Sequence, residues 1–142
     1  MCMFDEKVIF PPLPEDYGYK MLKFRKDGKL YSPCYDTHTP REIGTRYEAI
    51  SLHDGFHYFP SLAIAKKYVD SGYLMFFEES AIVRCKFETV THEGQDESLI
   101  FCHLRDAPSR MSRFMTPLRV VELHDRKGLV KKARKQAKGA KP

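Results

Sequence analysis

The stretch Gly55-Phe56-His57-Tyr58-Phe59-Pro60-Ser61, with the helix-like run Leu62 to Gly72 behind it, constrains the fold more than any other part of the chain. Gly55 to Phe59 is short and aromatic, the composition of a buried or half-buried strand. Pro60 ends the extended run, and Ser61 offers a hydroxyl to cap the helix that follows. In that helix Leu62, Ile64, Ala65, Tyr68 and Val69 gather on one side. Lys66, Lys67 and Asp70 lie opposite, and Gly72 supplies a stop. A strand feeding an amphipathic helix needs a sheet to pack against, so the rest of the chain must supply strands.

Lys7 to Phe10 makes a short strand before Pro11, Pro12 and Pro14 force an extended arm through Asp16. Tyr19 to Arg25 and Lys29 to Tyr31 form a hairpin about Asp27-Gly28, a pair that two-residue turns favour. Ser32 to Arg41 is a loop, and Tyr47 to Leu52 is a short extended run that turns at His53-Asp54. Tyr73 to Phe77 is a short strand or an extended connection. Ala81 to Val90 alternates with the period of a strand that has one buried face. His92 to Ser98 reads as a polar loop turning at Gly94, and Leu99 to Leu104 as a strand returning beside Ala81 to Val90. Ala107 to Met115 fits a short helix with Met111 and Phe114 inward, and Leu118 to His124 is the last strand. The expected architecture is α+β, a single small domain of mostly antiparallel sheet with one main helix. It spans residues 18–125, after a Pro-rich N-terminal arm over 1–17 and before a disordered or helical basic C-terminal tail over 126–142. A chain of 142 residues can bury such a core without metals or disulfides.

The net charge of +5 conceals a division. Residues 126–142 carry eight basic side chains, among them Lys131, Lys132, Arg134, Lys135 and Lys138, and no acid. The preceding 125 residues therefore hold sixteen basic and nineteen acidic groups, a balance of −3. Such a body does not have the overall basic surface of a folded nucleic-acid-binding domain. The tail offers strong, sequence-blind and salt-sensitive attraction to polyanions, or simply a solvated extension, and Arg110, Arg113 and Arg119 would extend its footprint onto the domain. The start of the chain has no signal-peptide pattern and no apolar run approaches a membrane span, so a cytoplasmic protein without membrane contact is expected, in the host cytoplasm if viral. The scattered Cys2, Cys34, Cys85 and Cys102 fit reduced, packed thiols.

No complete catalytic or metal motif is present. His53 and His57 are four apart, but Asp54-Gly55 between them denies the helical geometry that gives this spacing meaning, and Cys34, His38, Cys102 and His103 add no recognised ligand pattern. His57 reads as a histidine at the edge of the core, and no metal is expected. Neither a nucleophile elbow nor a phosphate-binding glycine loop occurs.

Gly55 to Phe59, then Ala65 and Tyr68, then the strand Ala81 to Phe87 together resemble the middle of small ADP-ribosyltransferase-like domains. Over roughly residues 18–123 the chain is also similar to small uncharacterised phage-encoded proteins with a Gly-aromatic-His segment. The first resemblance implies an NAD cofactor, with Tyr58 or Tyr68 stacked on nicotinamide, Arg25 on the ribose or phosphates, and Glu122 stabilising the positive charge that develops on the ribose. The reading the sequence favours is a small phage-encoded accessory protein that binds a host or viral macromolecule without catalysis and without a cofactor. Its binding residues would be His57, Arg25 and the tail lysines, its partner a host or viral protein, or nucleic acid through the tail. An NAD-dependent ADP-ribosyltransferase, and a virion-associated structural protein whose tail contacts nucleic acid, remain as alternatives.

Overall fold

The computed structural model describes residues 3–33, 36–50, 55–70, 79–96, 106–125 and 135. Its elements are strands β1 (Met3–Phe24), β2 (Leu30–Tyr31), β3 (Tyr47–Glu48) and β4 (Phe56–Tyr58), helix α1 (Leu62–Asp70), and strands β5 (Glu79–Asp96) and β6 (Pro108–Asp125). All strand pairs are antiparallel. Over the described residues of 3–125 the chain is thus mostly antiparallel sheet with one helix, as the sequence suggests, but three long strands carry it in the order β1-β5-β6. The short strands β2, β3 and β4 fill in along their outer edges.

Several stretches differ from the sequence expectation. The prolines do not end the first strand: β1 runs through Pro11, Pro12 and Pro14. Its pairing with β5 slips between Val8 and Leu13, so the missing amide hydrogens fall in the slip and on an outer edge where no ladder bond is lost. Ala107 to Met115 is not a helix. From Pro108 it belongs to β6, and Gly94 lies inside β5 rather than in a loop. The three-residue spacing of Met111 and Phe114 mimics a helical face. Met111 and Ser112 are both buried in succession, so this part of β6 is covered on both faces and has no two-residue alternation to read. Tyr73 to Phe77 and Leu99 to Leu104 lie outside the described residues.

The turn after β1 is also one residue longer than expected. The Gly28 amide donates to the Arg25 carbonyl at 2.8 Å and Gly28 takes a φ of 76°, the left-handed position that closes a three-residue hairpin loop.

β4 closes the sheet on itself. Its residues Phe56, His57 and Tyr58 pair with Ser112, Met111 and Arg110 of β6. The next residue, Phe59, exchanges backbone hydrogen bonds of 2.8 and 2.9 Å with Tyr19 of β1. Through β5, Tyr19 aligns by way of Arg84 with Arg119 of β6. Through β4 it reaches the neighbourhood of Arg110 instead, so the ring closes with a stagger of about ten residues, the strong shear of a small coiled barrel. Gly18 permits the close approach, because β1 and the Tyr58 ring meet where any side chain would collide.

Each face of β5 feeds a different core. Ala81, Val83, Cys85, Phe87 and Val90 point inward with Leu22, Phe56, Tyr58 and Met115. Ile82 points outward and packs with Met21, Phe59, Ala65 and Tyr68 under α1. The helix is capped by Ser61, whose Oγ accepts from the Ile64 amide at 3.4 Å, and it buries the side that its apolar spacing marks out. Burial along β5 records how far that cover reaches. Residues 79–83 are buried without a break, and from Arg84 to Glu88 buried and half-buried residues alternate. From Arg84 on, the outer face of β5 is only half-covered.

Candidate functional site

The residues named from sequence scatter over this frame. Tyr58 is fully buried on the inner face, its ring stacked on Phe87 at 3.6 Å with 7° between the planes. Its hydroxyl donates to Asp16 Oδ2 at 2.6 Å, and Arg110 Nη1 donates to the same oxygen at 2.7 Å. Burial first, and the Asp16 bond second, push the Tyr58 hydroxyl far above the ordinary tyrosine range, so it stays protonated. Burial pulls the Arg110 guanidinium down, but the Asp16 hydrogen bond and charge outweigh it and hold the group above its usual value. This network ties β1, β4 and β6 together across residues that are 42 and 94 positions apart. Tyr68 is buried under the helix, its ring tilted against Phe59.

Glu122 aligns with Ile82 and therefore lies on the outer face, opposite to Tyr58. It sits 3.9 Å from Lys66 and 2.9 Å from His124. Arg25 lies in the hairpin turn over the Tyr31 ring, with one guanidinium nitrogen on the Thr37 carbonyl. His57 is half-buried between Phe56 and Tyr58, and its carbonyl accepts a 2.8 Å bond from Lys20, a lysine only 8% exposed on the inner face. Tyr58 thus faces the inner core, Tyr68 and Glu122 lie on the side of the sheet that α1 covers, and Arg25 lies in the turn after β1. A stacking role for Tyr58 would need it to leave Phe87. Lys135 is exposed, and Lys131, Lys132, Arg134 and Lys138 lie outside the described residues, as do His53, Cys34, Cys102 and His103. Among the described residues no three His, Cys, Asp or Glu side chains are grouped as metal ligands, and no helix is long and apolar enough to cross a membrane.

A different cluster is assembled on the partly exposed outer face. Tyr19, Arg84 and Arg119 form one cross-strand row through β1, β5 and β6, and Tyr17, Lys86 and Thr116 form the next. Residues directly opposite in a ladder share a face, so these side chains stand side by side. The Arg84 guanidinium lies 5.5 Å from the Tyr17 ring centre and 5.7 Å from that of Tyr19, and donates to the Tyr19 hydroxyl at 2.9 Å. Tyr17 keeps 42% of its surface exposed. The nearby acids are paired: Glu15 with Lys86 at 3.3 Å, Glu88 with Arg46 at 3.1 Å, and Glu122 with Lys66. Arg119 is exposed and has no acid within ion-pair distance among the described residues. Of the three arginines the sequence offers for a basic footprint, Arg110 is tied to Asp16 and Arg113 to Glu48 at 2.9 Å, which leaves Arg119.

Sequence reasoning passed over Tyr17 and Arg84, although the alternation of Ala81 to Phe87 already puts Arg84 on the wet face. It also passed over Arg41, a loop residue whose side chain is buried over Tyr47 and bonded to Asp36 at 3.0 Å. Comparison with protein-family models, with curated proteins and with solved structures finds no match.

Proposed function

We propose that the protein is a small accessory protein that binds a macromolecule and performs no chemistry of its own, and that the macromolecule is a nucleic acid. The observation that carries this reading is the row Tyr19-Arg84-Arg119 on the partly exposed outer face, an aromatic and cationic surface whose neighbouring carboxylates are each ion-paired. The eight uncompensated charges of residues 126–142 follow directly on β6, the strand that carries Arg119. Long-range attraction by the tail and short-range contact by the sheet face then act on the same polyanion. The groups that a transferase reading would use support the same conclusion, since Tyr58 and Glu122 are engaged with Asp16, Lys66 and His124.

The test is fluorescence anisotropy of the full chain with labelled nucleic acid between about 50 and 200 mM salt. Binding should weaken linearly on a log-log plot, and replacing Lys131, Lys132, Arg134 and Lys135 by Gln should flatten the slope. Absence of binding at the lowest salt would overturn the reading and turn the search to a protein partner.

A further inference from the structure

We infer that the outer sheet face around Tyr17 is a stacking site for single-stranded nucleic acid, with Arg84 and Arg119 holding its phosphates; this deepens the nucleic-acid reading above and rests on it. Three observations carry it. First, Tyr17 is a large ring left 42% exposed beside a guanidinium, on a sheet face that the helix could have covered and does not. A ring of this kind offers a π-face to any base that is not already stacked in a duplex. Second, Arg84 is fixed in place by its bond to the Tyr19 hydroxyl, so the cation beside the ring is ordered before a ligand arrives. Third, Arg119 stands across the ladder from Arg84, one strand away or about 5 Å, so two cations lie side by side next to the aromatic row.

The geometry also separates strand from duplex. A duplex hides its base faces and presents phosphates alone, which the flexible charges of the tail can meet without the sheet. A single strand can lay a base on Tyr17 while its backbone runs over Arg84 and Arg119, in the manner of aromatic and basic sheet platforms generally. The acids at the rim do not close the site to a polyanion. Glu15 pairs through one oxygen with Lys86, whose proton affinity it raises, and through the other accepts from the Tyr17 hydroxyl at 3.5 Å, at the rim of the ring and not over its face.

The experiment compares the full chain and its Tyr17→Leu, Tyr17→Phe and Arg119→Gln variants in anisotropy titrations against two labelled probes. These are an oligothymidine of about 15 nucleotides, a length near the upper end of single-strand site sizes, and a mixed-sequence duplex of similar length. Circular dichroism melts show that each variant is folded. The expected result is that the single strand binds more tightly than the duplex. Tyr17→Leu should weaken the single strand about tenfold with little effect on the duplex, and Tyr17→Phe should restore it, because the ring and not the hydroxyl does the stacking. Arg119→Gln should weaken binding and lower the salt slope by about one unit. Equal affinity for both probes with no change in Tyr17→Leu would overturn the stacking site and leave the tail-driven reading standing. Failure to bind either probe would overturn both.

Discussion

Gly18 is where the sheet closes, and it offers a sharp test of the fold. A methyl group there would stand 2.5 Å from Tyr58 Cδ2 and 2.8 Å from the Phe59 carbonyl oxygen, well inside contact distance. The Tyr58 ring has little room to turn aside, because it is stacked on Phe87 and its hydroxyl is bonded to Asp16. The Phe59 oxygen cannot yield either without stretching the bond it accepts from the Tyr19 amide. Relief therefore needs β4 to shift off β1. Overpacking of this kind costs about 1–3 kcal/mol, and the two bridging hydrogen bonds between Tyr19 and Phe59 add about 1 kcal/mol each if they are lost.

Gly18→Ala should accordingly destabilise the protein by about 3 kcal/mol, toward the upper part of what single substitutions do. In urea unfolding with a slope near 2 kcal/mol per molar, this moves the midpoint down by about 1.5 M. Gly44→Ala is the control. Its added methyl meets nothing within 4 Å, but its φ of +87° carries the left-handed strain alone, about 1 kcal/mol. A Gly18→Ala variant no less stable than Gly44→Ala would refute the close approach of β1 and β4, and with it the closed ring.

Two further outcomes follow from buried groups. Burial pushes the Cys85 thiol up to about 12 and raises the Tyr58 hydroxyl as well, so both acids prefer to stay neutral in the folded chain. Their stabilisation is complete below the unfolded values, near 8.5 for a thiol, and is lost as pH rises toward the folded values. Unfolding free energy should fall by up to roughly 1.4 kcal/mol per pH unit for each group, above about pH 9 for Cys85 and above about pH 10 for Tyr58, and Cys85→Ala, though weaker at neutral pH, should show a flatter decline from about pH 9; an unchanged slope would sink this account. Asp16→Ala strips the Tyr58 hydroxyl of its acceptor and should cost about 2 kcal/mol in chemical denaturation, of which Tyr58→Phe in the same chain recovers part; strictly additive losses would mean that the two side chains do not interact.

The strand-helix corner was legible because its signals are local: Ser61 caps, and the spacing of Leu62, Ala65, Tyr68 and Val69 has only one helical reading. The continuity of β1 was not legible, since proline is a breaker in a central strand and harmless in a slip on an edge, and the difference lies in what the neighbour does. The beginning of β6 was misread for a related reason. Met111 and Ser112 are both covered because β4 and β5 pair on either side of β6 there, so the two-residue period is hidden by neighbours that are distant in the chain. Of the site, Arg119 could be named beside Arg110 and Arg113, but what distinguishes them is invisible in sequence: Asp16, 94 residues away, neutralises one, and Glu48, 65 away, the other.

The boundary between the covered and the exposed part of the outer sheet face is set by the reach of one short helix. α1 covers the row of Met21 and Ile82 and stops short of Tyr17, so the same sheet is dry on both faces at Ile82 and half-covered on one at Lys86. Closure through β4 makes this division affordable in stability terms, because Tyr58, Phe56 and Phe87 fill the inner face without help from the outer one. In the outer rows beyond the helix Tyr19 still packs against the core under α1, while Tyr17, one row further, stays 42% exposed. The two tyrosines flank an ordered arginine, and Arg119 beside them has no acid within ion-pair distance among the described residues. The proposed binding of a ligand with flat faces and negative charge rests on that composition, with Tyr17 offering the ring and Arg84 and Arg119 the cations.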